Sequence, residues 1–382
     1  MRIAQLAPLY EAVPPRGYGG TELAVHQLTE ALVARGHDVT LFASGDSETN
    51  ARLVAPVPYA LWSAEGRRRW PTADAAQAEE ESHVQACFTR AREFDLVHNH
   101  AGLEGVLAAM GSSTPVLTTH HLAADAPYLA ALASYPWAHQ ALSAAAAKTF
   151  PSRGQLAPIH HGIDVASYPF GARSEDYLLF LGRIVPEKGA EHAVEIARRA
   201  GRELRIAGVV QERAAEYGRR VLAQADGERI RYVGEAGPDA KRRLLRDAAA
   251  LVFPITWDEP FGLVVIEAFA CGTPVLAFGV GSAPELISPG ETGFLAAPGA
   301  DPSAPGQGAD RLAQAVASLG RISRRRCREE AEERFTIRRM VDAYEHAYEI
   351  VISGSFRGSF VGSRAVVDDQ LPGETRTVDI RE

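Results

Sequence analysis

The chain has 382 residues, which is too long for one ordinary domain and suits two. Its hydrophobic content of 46%, charged content of 23% and net charge of -8 are typical of a soluble globular protein, and they argue against nucleic acid or an anionic membrane as the main partner. The three cysteines are widely spaced, no leader precedes the first predicted strand, and no apolar run is long enough to span a membrane. We therefore expect a cytoplasmic protein with free thiols and no transmembrane segment, and its oligomeric state is left open.

The first predicted unit is a strand, a glycine-bearing loop, a helix and a second strand. The strands cover residues 3–7 and 39–43, and the helix between them has Thr21 as its expected N-cap. Such a unit predicts a parallel sheet whose ligand edge lies at the carboxyl ends of the strands. Gly19 and Gly20 lie where the loop enters the helix, and the residues leave two interpretations open: a phosphate or sugar contact, and a plain turn.

Residues 59–92 differ in character from the rest of the first half. Trp62, Arg69 and Trp70 precede an acidic stretch that is predicted to be helical. This pattern is typical of a solvated surface helix. Exposed aromatic and basic side chains also suit an acceptor site, and Tyr18, beside the first glycine pair, is a further candidate for it.

Two histidine pairs follow predicted strands in this half. His98 and His100 alternate along a strand without a further ligand at a recognised spacing, so a structural role is expected rather than a metal site. His120 and His121 end the strand that begins at Pro115, where a neutral imidazole can donate a hydrogen bond to a sugar hydroxyl in the cleft. Residues 123–148 are alanine-rich and are predicted to be helical, with a break at a proline.

The second half opens with a predicted strand over residues 177–181 and a loop that carries two cations. Arg183 offers a planar fork to a phosphate, and Lys188 adds a point charge. The loop also contains glycines that let the backbone approach a ligand closely. A solvent-exposed loop is the alternative interpretation, and the spacing of the two cations favours a phosphate site.

The run from residue 257 to 275 is the most informative stretch of the chain. Pro260 and Gly262 precede an apolar stretch, residues 263–270, which is predicted to be a buried helix. The N-terminus of a helix attracts anions through its dipole and its free N–H groups. A phosphate site is therefore expected at a short segment: Phe261, Gly262, Leu263 and Val264.

Two glutamates flank this expected phosphate site. Glu259 precedes the helix and Glu267 lies within it, eight positions later. Carboxylates do not suit a phosphate, whereas they accept hydrogen bonds from sugar hydroxyls. Two glutamates at this spacing are also common by chance, so the spacing alone does not establish a function.

The complete string from Glu259 to Val275 resembles the E-x7-E signature of the retaining glycosyltransferases of family 4. The resemblance extends from Ile3 to about Tyr348. It implies an α/β protein of the GT-B fold, with two Rossmann-like domains whose parallel sheets face a central cleft. The expected divisions are residues 1–165 for an acceptor domain, 166–335 for a donor domain, 336–352 for a helix that crosses back to the first domain, and 353–382 for a disordered tail.

The resemblance also implies roles for individual residues. Arg183 and Lys188 match the family's pyrophosphate clamp, Glu259 its sugar ligand and Glu267 its ribose ligand. One histidine of the family contacts the donor sugar, and His121 fits that position best. A slip of one residue would give that role to His120. Gly19 and Gly20 match a pair beside the distal phosphate and the acceptor, and Val233 falls where the base is held. His161 departs from the family pattern, which usually has asparagine.

The resemblance implies transfer of a hexose, with glucose as the expected sugar and UDP as the expected carrier, to a hydroxyl acceptor on the same face of the sugar. No Asp-x-Asp site is present, so no metal and no cofactor other than the nucleotide-sugar substrate are expected. The opening residues resemble a bacterial subgroup with small-molecule acceptors. Two alternatives are a nucleotide-sugar binding or regulatory protein without turnover and a sugar-nucleotide epimerase. An NAD-linked oxidoreductase is disfavoured because no G-x-G-x-x-G follows the first strand.

Overall fold

The structure is a computed structural model that describes residues 1–17, 19–298 and 306–356. The candidate acceptor residue Tyr18 and residues 357–382 of the predicted tail lie outside the described residues. Within the described part of the chain, no helix is long and apolar enough to cross a membrane.

The core consists of two six-stranded parallel sheets. The first sheet has the order β3-β2-β1-β4-β5-β6, and the second has the order β12-β11-β10-β7-β8-β9. The strands of the first sheet are β1 (Arg2–Leu6), β2 (Asp38–Phe42), β3 (Arg52–Val54), β4 (Leu96–Asn99), β5 (Val116–His120) and β6 (Ala138–Ala141). The strands of the second sheet are β7 (Tyr177–Leu181), β8 (Glu203–Ala207), β9 (Ile230–Gly234), β10 (Ala250–Phe253), β11 (Val275–Phe278) and β12 (Gly293–Ala296).

Helices cover both sheets, which explains why the central strands are apolar along most of their length. The helices over the first half are α1 (Gly20–Ala34), α2 (Ala64–Arg69), α3 (Ala73–Thr89), α4 (Gly102–Ala109), α5 (Ala126–Ala133) and α6 (Ala144–Ala147). The later helices are α7 (Ala190–Ala200), α8 (Ala215–Leu222), α9 (Pro238–Asp247), α10 (Leu263–Ala270), α11 (Ala283–Leu286), α12 (Gly306–Val316), α13 (Arg324–Arg334) and α14 (Ile337–Ser353). The predicted fold of two facing Rossmann-like sheets is confirmed.

Two local predictions in the first half are wrong. The N-cap of α1 is Gly19 rather than Thr21, which lies inside the helix. The alanine-rich stretch 123–148 is not helical throughout, because β6 lies within it and pairs with β5. Two of the four residues of β6 are polar yet fully buried. Pairing with the sheet, rather than the helix propensity of alanine, therefore determines the conformation of this segment.

The last described helix joins the two halves. α13 packs on α10, and α14 then packs on α1 and against β4 and β5. The residues Met340, Tyr344 and Tyr348 of α14 are buried in the core of the first sheet, which confirms the predicted buried stripe of this helix. The predicted tail begins too early, because α14 continues to Ser353 and the Phe356 side chain is buried in the same core. The domain boundaries at 165 and 335 remain predictions.

The carboxyl ends of both sheets face a common cleft. Residues that directly follow β1, β5 and β7 line it, as do residues directly after β9. This is the edge at which open parallel sheets usually bind ligands, because loops there are free to carry polar side chains. The sequence pattern thus predicts correctly which edge of each sheet carries the site.

Candidate active site

The cleft has a volume of about 800 Å³ and receives side chains from both halves of the chain. Most of the residues singled out from the sequence line it: Gly19, Gly20, Trp62, His121, Arg183, Lys188, Glu259, Phe261, Gly262, Leu263, Val264 and Glu267. A cleft of this size suits a nucleotide sugar, since small-molecule sites typically enclose about 300–1,000 Å³. The structure therefore brings together residues that are up to 248 positions apart in the sequence (267 minus 19).

Lys188 and Glu259 form an ion pair in the part of the cleft that the second half of the chain lines. The Lys188 Nζ atom donates to Glu259 Oε2 at 2.5 Å, and both side chains are nearly buried. Trp257 lies beside the pair, with Lys188 Nζ 5.6 Å from the centre of its ring. The buried indole Nε1 of Trp257, which lines the cleft, has no hydrogen-bond partner among the described residues. The pair fixes both charged groups in the cleft before any ligand enters.

Arg183 approaches the same region from the loop after β7. Its Nη1 donates to Gln211 Oε1 at 3.2 Å, which holds the guanidinium at the cleft wall. Gly189 has φ of +73°, and a Cβ atom there would lie 2.1 Å from the carbonyl oxygen of Pro254. Only glycine therefore lets this loop pack so closely on the strand-end loop after β10, and that packing positions Lys188.

The start of α10 lies where the two halves come close together. Gly262 caps the helix with φ of +93°, and a side chain there would meet the ring of Phe253. On the facing wall, the Leu263 Cδ1 atom lies 3.5 Å from the position that a Cβ atom of Gly20 would occupy. α1 and α10 thus both begin at the cleft, so two helix N-termini present positive dipole ends to it.

Glu267 lies in a buried polar cluster that the sequence does not reveal. Its Oε1 accepts a hydrogen bond from the Tyr168 hydroxyl at 2.8 Å and pairs with Lys241 Nζ at 2.5 Å. Burial and the neighbouring Glu267 carboxylate raise the pKa of Tyr168 above its ordinary value, so this phenol stays protonated and donates. Arg242 lies over the Tyr168 ring at 5.5 Å. Tyr168 and Lys241 belong to no local motif: Lys241 reaches Glu267 because α9 packs on α10, and Tyr168 reaches it from the short turn over residues 165–168, which also packs on α10.

His121 ends a chain of buried hydrogen bonds. The amide oxygen of Gln5 accepts from His100 Nε2 at 2.8 Å, and His100 Nδ1 lies 2.8 Å from His121 Nε2. Burial lowers the pKa of both histidines well below the usual range, so both rings are neutral. An amide oxygen only accepts, so the proton of His100 is on Nε2 and its Nδ1 accepts from His121 Nε2.

This chain of bonds leaves the lone pair of His121 on Nδ1. That atom is buried and has no hydrogen-bond partner among the described residues, while the residue lines the cleft. His121 therefore presents a hydrogen-bond acceptor to the cleft, whereas the sequence predicts a donor at this position. His161, the residue that departs from the family pattern, stacks on the His121 ring at 5.5 Å.

His120 does not line the cleft. Its ring is buried beneath the sheet edge, where Nδ1 lies 2.8 Å from the Tyr128 hydroxyl and Nε2 lies 2.9 Å from His139 Nδ1. Phe150 stacks on it at 3.9 Å. Successive residues of a strand point to opposite faces, so His120 is directed into the core while His121 reaches the cleft. The alternative assignment of a donor contact to His120 is corrected accordingly.

Three other predicted contacts also lie away from the cleft. Trp70 donates through Nε1 to Glu79 at 2.9 Å, and Arg69 lies over the Trp70 ring on the outer surface. Val233 is 44% exposed on β9, and it is the nearby Glu235 that lines the cleft. Among the described candidates for acceptor contact, Trp62 alone lines it.

The histidines at the end of β4 take the structural role that the sequence predicts. His98 lies 2.8 Å from the Tyr348 hydroxyl and 2.7 Å from the Thr119 hydroxyl. Gln5 also donates to Tyr348 at 3.1 Å, so the chain of bonds behind His121 reaches α14. In the described parts of the chain, no group of three or more histidine, cysteine or acidic side chains is arranged to hold a metal ion.

Comparisons with known proteins show which family the chain resembles. Residues 18–166 match the family described as Glycosyltransferase Family 4, and residues 171–334 match the family described as Glycosyl transferases group 1. Alpha-maltose-1-phosphate synthase of Mycolicibacterium smegmatis is 29% identical over 90% of this chain and 100% of its own length. Glycogen synthase of Mycobacterium tuberculosis is 28% identical over 78% of this chain and 83% of its own length.

Two solved structures resemble the chain over most of its length. AviGT4, described as a glycosyltransferase involved in avilamycin A biosynthesis, superposes with a TM-score of 0.68 and 26% identity, covering 93% of this chain and 98% of that one. Sucrose-phosphate synthase from Thermosynechococcus elongatus shares the fold, with a TM-score of 0.72 and 21% identity over 93% of this chain and 100% of that one. The chain belongs to glycosyltransferase family 4 and is a glycosyltransferase of the GT-B fold.

Proposed function

We propose that this enzyme transfers glucose from UDP-glucose to a hydroxyl acceptor and retains the configuration of the anomeric carbon. The observation that carries the proposal is the arrangement of one cleft wall, where Arg183, Lys188 and the N-terminus of α10 surround Glu259. This wall combines positive charge for a pyrophosphate with a carboxylate for sugar hydroxyls. The names of two relatives, glycogen synthase and alpha-maltose-1-phosphate synthase, refer to α-glucosyl products and support glucose as the transferred sugar.

Stabilisation of the leaving group is the first task of such a site. As the bond between the sugar and the phosphate breaks, negative charge grows on the β-phosphate. Arg183 and Lys188 lie where they can neutralise it without reorganisation, and the α10 dipole adds to their effect. Lys188 is already held in place by Glu259, so its position does not depend on the ligand.

Recognition of the donor falls to the remaining polar groups. Glu267 is expected to accept hydrogen bonds from the ribose hydroxyls, with Tyr168 and Lys241 holding its carboxylate in position. Glu259 and the lone pair of His121 are expected to accept from hydroxyls of the transferred sugar. The base of the nucleotide is expected to lie against the loop near Glu235, as the resemblance to the family implies.

Retention is expected without a protein nucleophile. The bond between the anomeric carbon and the β-phosphate oxygen breaks, the acceptor oxygen forms a new bond to that carbon on the same face, and the leaving phosphate takes the proton of the acceptor hydroxyl. We propose that the reaction needs no metal ion, because cationic side chains supply the positive charge at the pyrophosphate. Activity that is unchanged in the presence of EDTA would agree with this step.

The experiment uses a panel of UDP-, GDP- and ADP-sugars. Thermal shift measures binding, and nucleotide release with a broad pool of hydroxylated acceptors measures transfer. We expect UDP-glucose to stabilise the enzyme and to release UDP only when an acceptor is present. Binding without release across the panel would instead favour a nucleotide-sugar binding protein, and a changed sugar in the recovered nucleotide would favour an epimerase.

A matched pair of variants tests the assignment of the site. Glu259→Ala removes the carboxylate that holds Lys188 and is expected to lower transfer by at least about 100-fold. Glu216→Ala removes an exposed carboxylate of α8 and serves as the control. A Glu259→Ala protein that keeps the full transfer rate would overturn the site.

A further inference from the structure

The two walls of the cleft differ in charge: among the described residues one carries cations beside the carboxylates Glu235, Glu259 and Glu267, and the other carries carboxylates without cations. All lysines and arginines that line it among the described residues come from the second half: Arg183, Lys188, Lys241 and Arg242. Within residues 1–17 and 19–165, the charged side chains that line it are carboxylates: Glu11, Glu22, Glu104 and Asp125. Since the donor pyrophosphate requires the cationic wall, the acidic wall is left for the acceptor.

The acidic wall is an unfavourable environment for negative charge. Burial raises the pKa of Glu22 to about 7, and the nearby Glu11 contributes to that rise. Burial raises the pKa of Glu11 to about 7 as well, although Arg67 opposes the shift. Burial and the carboxylates of Glu80 and Glu104 raise the pKa of Tyr10, also on this wall, to about 12. The same desolvation, together with the ionised carboxylates of the wall, disfavours a further anion here.

A second observation, independent of charge, indicates what this wall binds. One of its polar atoms, Gln27 Oε1, is buried without a hydrogen-bond partner among the described residues and is not assigned to the donor. An amide oxygen only accepts hydrogen bonds. Buried polar atoms are normally satisfied, so this atom points to a ligand that supplies a hydrogen-bond donor.

An aromatic surface completes this wall. The Trp62 and Tyr10 rings lie 4.9 Å apart, both line the cleft, and Trp62 is 45% exposed. Aromatic rings present an apolar face that can cover the apolar face of a sugar or cyclitol ring. The wall therefore combines a flat apolar contact with carboxylates and lone pairs at its edges.

We infer that the acceptor is a polyhydroxylated ring that carries no anionic group, and that the acidic wall excludes phosphorylated acceptors. This inference rests on the proposed function, because it assigns the second substrate of the same site. The hydroxyl or ammonium groups of such a ring can donate hydrogen bonds to the oxygen atoms of the wall. A phosphate offers no such donors at neutral pH and meets the carboxylates directly.

The test uses matched pairs of acceptors with UDP-glucose as donor. The pairs are glucose and glucose 6-phosphate, and myo-inositol and myo-inositol 1-phosphate, with glucosamine as a cationic member. We expect the unphosphorylated member of a pair to be used with kcat/KM at least about 100-fold higher, because like charges at a binding surface suppress association. Calorimetric titration into the UDP complex measures the same preference as binding. Phosphorylated members that bind or react as well as their partners would overturn the inference.

Charge variants supply a second measurement. Glu104→Lys places a cation on the wall and is expected to reduce the preference against the phosphorylated member by at least about 10-fold. Glu81→Lys makes the same change at an exposed position of α3 outside the cleft and should leave the preference unchanged. An equal effect of both variants would contradict a local role for the wall.

Failure of this inference is distinguishable from failure of the proposed function. Binding and cleavage of UDP-glucose are measured separately from the choice of acceptor. If no nucleotide sugar binds or is cleaved, the proposed function fails. If UDP-glucose is used efficiently with phosphorylated acceptors, the proposed function stands and the acidic wall does not select the acceptor.

Discussion

The Lys188 Nζ atom lies 2.5 Å from Glu259 Oε2, at the floor of a cleft between two parallel sheets. Each residue contributes a charge that the other holds in position. A buried ion pair is a weak source of net stability, because desolvation offsets much of the attraction. We therefore attribute the pair to function: it keeps an ammonium ready for the leaving phosphate.

Lys188→Ala tests that role. We expect kcat/KM for transfer to fall by at least about 100-fold, because a charge that stabilises the transition state is lost. The free energy of unfolding should also decrease, since the Glu259 carboxylate stays nearly buried without its partner. Steady-state kinetics and urea unfolding measure the two effects.

Lys148→Ala removes an exposed lysine of the first half and is the matched control for both measurements. A double variant, Lys188→Ala with Glu259→Ala, removes both charges and should recover stability without recovering activity. A Lys188→Ala protein with nearly normal transfer would contradict the role assigned to the pair.

Glu267→Gln tests the ribose contact. The carboxylate accepts a hydrogen bond from Tyr168 and pairs with Lys241. Its replacement by an amide therefore weakens the hydrogen bonds expected from the ribose hydroxyls and leaves the lysine unpaired. We expect the Kd for UDP, measured by calorimetric titration, to rise by about 10-fold or more, since each charge-assisted hydrogen bond contributes about 1.5–3 kcal/mol. Glu216→Gln is the surface control. Unchanged affinity for UDP would remove Glu267 from the nucleotide site.

Much of this site follows from the sequence because its parts lie in short local strings. Glu259, Gly262 and Glu267 occupy a single loop and helix, whose bounds of 263–270 are predicted correctly. Arg183 and Lys188 share one loop after a strand. In each case the strand end fixes which edge of the sheet the loop occupies, so no long-range information is needed.

Other features depend on packing between distant segments and could not be predicted. Lys241 reaches Glu267 from a different helix, and no spacing connects them. The acceptor character of His121 follows from a buried chain of bonds through His100, which directly follows β4, and Gln5, which lies on β1. The strand within 123–148 was missed because alanine favours helices, while its buried polar residues are satisfied only through tertiary contacts.

The pH dependence of stability should have a maximum near pH 6.5. Burial lowers the pKa of a set of histidines below the ordinary value of 6.5: His83, His98, His100, His120, His121, His139 and His161. Below pH 6.5 the unfolded chain binds protons at these sites and the folded protein does not, so stability falls as the pH falls.

Buried carboxylates have the opposite effect. Burial raises the pKa of Glu11 and Glu22 to about 7 and that of Glu80 to about 8. From the ordinary value of 4.5 up to these values, the unfolded chain has released protons that the folded protein keeps, so stability falls as the pH rises. The histidines therefore determine how stability changes with pH below pH 6.5, and the carboxylates determine it above that value. Urea midpoints at pH 5, 6.5 and 8 measure the curve, and a steady rise from pH 5 to 8 would contradict it.

Phe356→Ala tests the end of the fold. The ring is 4% exposed and packs in the core of the first sheet, beyond the end of α14. Removing a buried aromatic ring leaves a cavity, so we expect the free energy of unfolding to fall by about 3 kcal/mol. Ile352→Ala, at a position of α14 that is 39% exposed, should cost much less. Equal effects would show that Phe356 is not part of the core.

We expect the cleft to carry out glycosyl transfer with retention of the anomeric configuration. The most direct test determines the anomeric configuration of the product formed from UDP-α-glucose, by proton NMR of the purified glucoside. We predict an α-linked product, because the leaving phosphate and the acceptor occupy the same face of the sugar. A β-linked product would contradict the account.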